Sequence, residues 1–223
     1  MNAESNEDKP TPVPLSPAAR RVLGVLVEKA KTTPDHYPLT LTGVIAGSNQ
    51  KSNRAPKMDL DDEDALLALD ELRSVGAARE VQGSGRANKY RHAAYEWMDV
   101  DSPQAAVMTE LLLRGPQTAG EIRSRASRMS PLPDLNATQA VLDALIAKGL
   151  VEALSPPGRG QTFAHTLYPP DERQYLGAKV AKQAASTAPS PESKSVVDQL
   201  LSRLDAVTER INKLEQRLEE LES

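Results

Sequence analysis

Apolar side chains recur at steps of three and four residues along several stretches of this chain, and each stretch is bounded by residues that start or stop helices. Ser16-Pro17 is a cap followed by proline at the first helical position, where a missing N–H costs nothing. Val22, Leu23, Leu26 and Val27 mark the inward stripe of a first helix, with Glu28 and Lys29 on its exposed side and Thr32-Thr33-Pro34 as its stop. Thr40 caps a second helix bearing Leu41, Val44 and Ile45, which ends around Gly47 to Asn49. A third begins at Asp61. Asp62, Glu63 and Asp64 sit in its first turn, where carboxylates favour the positive end of the helix dipole, and its stripe is Leu66, Leu69, Leu72 and Val75. Gly76 is placed to take a left-handed cap, after which Ala77 to Val81, Gln82 to Gly85 and Arg86 to Arg91 read as strand, turn and strand.

The same order returns from Ser102-Pro103, which opens a helix carrying Val107, Met108, Leu111 and Leu112. Thr118 to Glu121 is a capping box for the next helix, with Ile122, Ala126 and Met129 inward, and Asp134 caps the one after. Val141 to Leu145 stands against Ala68 to Leu72, and Gly149 against Gly76; Val151 to Leu154, a turn at Gly158-Arg159-Gly160, and Thr162 to Leu167 complete a second hairpin. Three helices and a two-stranded wing, twice, is the order of a winged helix.

The pattern therefore predicts a mainly α fold with small β-hairpins, built as two tandem winged helix-turn-helix domains and a C-terminal coiled-coil helix. The boundaries are a disordered leader over 1–14, domains over 15–98 and 99–170, a helix (Asp171 to Ala185) and flexible linker over 171–195, and the coiled coil over 196–223. Ser186 to Ser195 is too rich in Ser, Pro and Ala to bury a core.

Composition narrows the chemistry. The chain has 223 residues with no Cys, one Trp and one Phe, so disulfides, thiolate metal sites, thiol nucleophiles and aromatic stacking platforms drop out. The net charge of −4 divides into −2 for residues 1–14, +1 for 15–98, −2 for 99–176 and −1 for 177–223, so neither domain is basic as a whole. No segment approaches the roughly 20 apolar residues of a membrane span, and a cytoplasmic location is the expectation.

Two runs carry a family likeness. Thr32-Thr33-Pro34, Tyr37-Pro38-Leu39 and Asn49-Gln50-Lys51-Ser52-Asn53-Arg54-Ala55-Pro56, together with Leu111 to Arg125, resemble the YceH family of bacterial proteins over about residues 15–168. Ser48 replaces the usual Cys before Asn-Gln-Lys, and Ala119 the usual proline after Thr118. The resemblance implies tandem winged helices and brings no catalytic residue with it.

Asp59, Asp61 and Glu63 alternate as in a calcium loop, but Asp64 stands where such a loop needs glycine, and helix capping accounts for them. His36, His92 and His165 are far apart, without a motif neighbour, and neither GxG turn precedes a helix. No enzyme, cofactor or metal site is expected. The leading expectation is a DNA-associated regulator whose cations are Lys51, Arg54, Arg79, Arg86, Lys89, Arg91, Arg123, Arg125, Arg128 and Arg159; the alternative is a protein-interaction module, which suits the acidic third helix of the first domain better.

In the tail, Val197, Leu204, Ile211 and Leu218 occupy heptad a, and Leu200, Val207, Leu214 and Leu221 occupy d. Parallel pairing sets Arg210 against Glu215 and Arg217 against Glu222, so a parallel homodimer is expected, with a trimer as its competitor. Sedimentation equilibrium should show the full chain dimeric and a chain ending at Ser190 monomeric; a truncated dimer would move the interface into the helical domains.

Overall fold

Helix α1 (Pro17–Thr32) starts where the Ser16 hydroxyl accepts the N–H of Ala19. The computed structural model describes residues 12–82, 87–158, 160–187, 207 and 210. A single 3-10 turn at Pro34–His36 leads to β1 (Leu39–Thr40) and α2 (Leu41–Ser48), capped by Thr40; α3 (Asp62–Ser74) opens on an Asp61/Asp64 capping box, and β2 (Ala78–Gln82) and β3 (Asn88–His92) form the hairpin. A short helix α4 (Ala94–Met98) then passes the chain to α5 (Ser102–Arg114), β4 (Gln117–Thr118), α6 (Ala119–Ala126), α7 (Leu135–Ala147), β5 (Val151–Ala153), β6 (Thr162–His165) and α8 (Pro170–Thr187).

Each half closes its hairpin with a third, two-residue strand. The sheets are antiparallel with orders β1-β3-β2 and β4-β6-β5, so the segment before each second helix pairs with the last strand of its own half, Leu39 opposite Tyr90 and Gln117 opposite Phe163. Both third helices end alike: Ala77 donates to Leu72 O and Leu150 to Leu145 O, with Gly76 and Gly149 at φ 79° and 71°, a region that only a residue without Cβ enters at little cost.

The first helix departs from the one-sided stripe that its periodicity predicts. Residues Ala19 to Glu28 of α1 are buried on every side, as are Gln104 to Leu113 of α5, because these two helices lie against each other while α2, α3, α6 and α7 cover their outer faces. One continuous apolar core results, running from Leu15 through Leu26, Leu72, Trp97, Met108 and Leu142 to Leu167. A second departure is on α3: Leu69 and Leu72 are buried with Ala65 and Ala68, whereas Leu66 turns outward. The coiled-coil expectation lies outside the described residues apart from Val207 and Arg210, which are helical and exposed. No described helix is long and apolar enough to cross a membrane.

Glycine sets two of these contacts. A Cβ on Gly24 would lie 2.9 Å from Leu113 Cδ2 across the α1–α5 crossing, and one on Gly47 would lie 2.5 Å from Val25 Cγ1. Val25 is buried and stiff at χ1, so it has no room to withdraw. Gly47→Ala should therefore lower stability by about 1–3 kcal/mol in chemical denaturation, the usual cost of overpacking.

Candidate functional site

The polar run after α2 is held from within. Asn49 clips the loop to the start of α3 with both ends of its amide, Nδ2 donating to Leu60 O and Oδ1 accepting from Leu60 N–H, each at 2.8 Å. Asn53 adopts φ 61° and its Oδ1 accepts from Arg114 Nη2 at 2.6 Å. Lys51 is exposed. Arg54, expected to face a ligand, is instead 6% exposed: Nε donates to Gly47 O at 2.9 Å, Nη1 to Glu28 Oε1 at 3.2 Å and Nη2 to Glu28 Oε2 at 2.5 Å.

Glu28, expected on the exposed side of α1, is 2% exposed and is the centre of the arrangement. Its Oε1 also takes Arg128 Nη2 at 2.5 Å, so one carboxylate receives a guanidinium from each half of the chain. Burial pushes its pKa up, but the hydrogen bonds and charges of Arg54 and Arg128 outweigh this and hold the carboxyl below its ordinary value. Glu110, on the facing helix α5, is fully buried. Arg114 Nε stands 2.7 Å from its Oε1, off the line of a hydrogen bond, and Arg128 Nη2 is 3.7 Å from Oε2. Here desolvation wins over Arg114, Arg128 and Arg125, and the Glu110 carboxyl is raised. Arg21 completes the seam by donating to Ser48 O at 3.0 Å and Pro56 O at 2.7 Å; burial, then the neighbouring charge of Arg54, lowers it to about 10. Periodicity missed Glu28, Glu110, Arg21 and Arg114. Only Glu110 stands out as a lone charge within its helix; Arg21 follows Arg20, Glu28 precedes Lys29, and Arg114 ends α5.

The other cations divide. Arg123 is spent on the α6–α7 connector, donating to Leu132 O at 3.3 Å and Pro133 O at 2.6 Å, and Arg125 bonds Gln117 and, at 3.3 Å, Glu121. On the first hairpin, Arg79 lies opposite Arg91 and Val81 opposite Lys89, which places Arg79, Lys89 and Arg91 on one face; Arg79 is ion-paired to Glu96. Arg86 and Arg159 lie outside the described residues.

The third helices present a different chemistry. On α3 Leu66 is 41% and Leu67 63% exposed, and its Arg73 is held by Asp70 at 2.9 Å and Glu80 at 3.1 Å. On α7 Leu135 is 52% and Ile146 40% exposed, and the helix has no Lys or Arg; Lys148, which follows it, donates to Asp99 O and Gln104. A groove of about 550 Å³ between α6, α7 and the second hairpin is lined by Thr118, Leu135, Asn136, Gln139, Gln161 and Phe163 among others, with no ionisable group among the described residues. His92 Nδ1 accepts Ala94 N–H and His165 Nδ1 accepts Leu167 N–H, and burial lowers His92 to about 4 and His165 well below its ordinary value. Among the described residues no three His, Cys, Asp or Glu side chains come together as a metal site.

Residues 15–159 match the family model described as a protein of unknown function, DUF480. A UPF0502 protein of Rhodopirellula baltica is 67% identical over 194 residues, 87% of this chain and 81% of its own length. UPF0502 proteins of Geotalea daltonii and Geobacter metallireducens are 42% and 44% identical, covering 92% and 89% of this chain and 88% and 85% of their own.

Removing one partner of a buried ion pair strands the other, so Arg54→Ala and Glu28→Gln should each lower stability by about 3 kcal/mol at neutral pH. Lys51→Ala should stay within about 0.5 kcal/mol. Because the Glu28 pKa is depressed on folding, its contribution is present above the ordinary carboxyl value and lost as pH falls through the lowered one. The gap between wild type and Glu28→Gln should therefore close on acidification. The raised Glu110 has the opposite sign, losing stability as pH rises through its folded value, so Glu110→Gln should cost less than Glu28→Gln at neutral pH. Denaturation series across pH measure both.

Proposed function

The chain belongs to the DUF480 family, and from its geometry we propose that it is a non-enzymatic pair of winged helices, fused through a buried arginine–glutamate seam, that docks proteins through its third helices. The element order of each half supports the winged-helix reading: three helices, a hairpin, and the short strand before the second helix closing the sheet. The observation that carries docking is the surface of α3 and α7. In DNA-binding relatives of this architecture the third helix enters the major groove, where cations meet phosphates and bases. Here α3 exposes Leu66 and Leu67 among carboxylates, α7 exposes Leu135 and Ile146, and the one arginine on these two helices is held by two acids. Three cations that could have served a phosphate backbone are engaged within the chain instead: Arg54 is buried on Glu28, Arg123 is tied to the α6–α7 connector, and the exposed Arg128 is paired with Glu28.

Duplex contact is the second reading, and the first hairpin favours it, since Arg79, Lys89 and Arg91 share one face. Two copies joined by the heptad tail would offer such a face twice, as paired half-sites require. A photo-crosslinking side chain placed at position 67 or at position 91 separates the readings in cells. Docking predicts nuclease-resistant protein adducts from position 67. Nuclease-sensitive adducts from position 91, with none from 67, would replace docking by duplex binding, and the absence of any adduct from 67 would remove the docking reading.

A further inference from the structure

We infer that α3 receives a basic amphipathic helix from a partner protein, one with an aliphatic stripe flanked by Lys or Arg; the inference rests on the docking reading and specifies the partner's chemistry. Leu66 and Leu67 stand in the middle of the helix, and residues three and four positions away lie beside them on its surface. Those neighbours are Asp62, Glu63, Asp64, Asp70 and Glu71, so an exposed apolar pair is bracketed by carboxylates one turn above and one turn below. Asp64 is engaged in the cap with Asp61, Glu71 accepts Ser16 N–H, and Asp70 shares Arg73 with Glu80. Asp62 and Glu63 are exposed in the first turn and have no ion-pair partner among the described residues. A surface of this kind rewards a ligand that covers the leucines and supplies cations on both sides of them.

The charges identify what cannot fill that role. A phosphate backbone would be repelled. The chain's own terminal segments are also unsuited, since residues 1–14 carry three acidic residues against one lysine, and residues 196–223 seven acidic residues against four basic ones. Charge complementarity with the acid-flanked leucines assigns the surface to a basic helix of another protein. At about 1.5 Å per residue, the 13 residues of α3 match a partner helix of three to four turns, laid side by side in the manner of helix-on-helix recognition.

The test is a fluorescence anisotropy titration of the full chain with three labelled 18-residue peptides: an amphipathic Leu/Lys helix, the same helix with Glu for Lys, and a scrambled Leu/Lys sequence of equal charge. The Leu/Lys helix should bind. Leu66→Ser with Leu67→Ser should weaken it by about tenfold or more, Glu63→Lys with Asp70→Lys should do likewise, and both variants should keep wild-type circular dichroism because all four side chains are exposed. The Leu/Glu helix and the scrambled peptide should bind at least about tenfold more weakly. Equal binding of the scrambled peptide, or binding indifferent to the leucines, reduces the effect to bulk charge and overturns the inference. If the Leu/Glu helix binds as well, with dependence on Leu66 and Leu67, the basic partner is overturned while docking stands. If no peptide binds, the inference fails, and the crosslink from position 67 decides separately whether docking survives.

Discussion

A single carboxylate on the first helix organises the molecule. Glu28 takes Arg54 from the loop after α2 and Arg128 from the turn after α6, so the folding of both halves converges on two oxygen atoms. Burying such a group costs several kcal/mol per charge, offset only when geometry is good and the remaining polar atoms are met. Around Glu28 they are met by main chain as well as by charge, since Gly47 and Asn53 carbonyls take the rest of Arg54; Arg21 beside it gives its Nη atoms to the Ser48 and Pro56 carbonyls and leaves a buried Nε without a hydrogen bond among the described residues. An apolar replacement of the same volume could hold the helices together. It would not fix the loop from Asn49 to Pro56 against α5, where Ala55 N–H reaches Leu113 O at 3.0 Å. The ion pairs thus specify an arrangement more than they add stability.

Their inward orientation has a consequence at the surface. The Arg54 guanidinium is withdrawn from solvent and that of Arg128, though exposed, is engaged by Glu28, while what α3 shows to water is mainly acid and leucine. Core architecture and surface charge are therefore one decision. Asn49 and Asn53 are engaged in the same way, Asn49 closing the connector on Leu60 and Asn53 accepting from Arg114 of α5.

Much of the local structure could be read from the chain because its signals are local. The caps at Ser16, Thr40, Asp61, Thr118 and Asp134, and the glycines at 76 and 149, all act within four or five residues of themselves, and each appears where the spacing puts it. The hairpins follow for the same reason. What could not be read is what depends on distant partners. Arg54 meets Glu28 26 residues away and Arg128 meets it 100 residues away, so no periodicity reveals that Glu28 and Arg54 are interior or that Arg128 is engaged. β1 and β4 are two residues each, too short to alternate, and exist only because β3 and β6 have an edge to offer. Leu66 fits the helical stripe by spacing yet faces outward, because the buried face of α3 is made by Ala65, Ala68, Leu69 and Leu72. The candidate site suffered most, because cation counts say nothing of which cations are already engaged.

The shared core of α1 and α5 bears on valency. Two repeats joined by a flexible tether would each bind on their own, and a partner with two contact points would gain only what the tether's reach allows. Packed around one pair of central helices, the two repeats instead offer their outer surfaces at a set spacing and angle. A partner whose own contact points match that spacing makes its second contact as an intramolecular event, while one with the right chemistry at the wrong separation gains nothing from it. On the proposed docking role, the seam would act as a ruler.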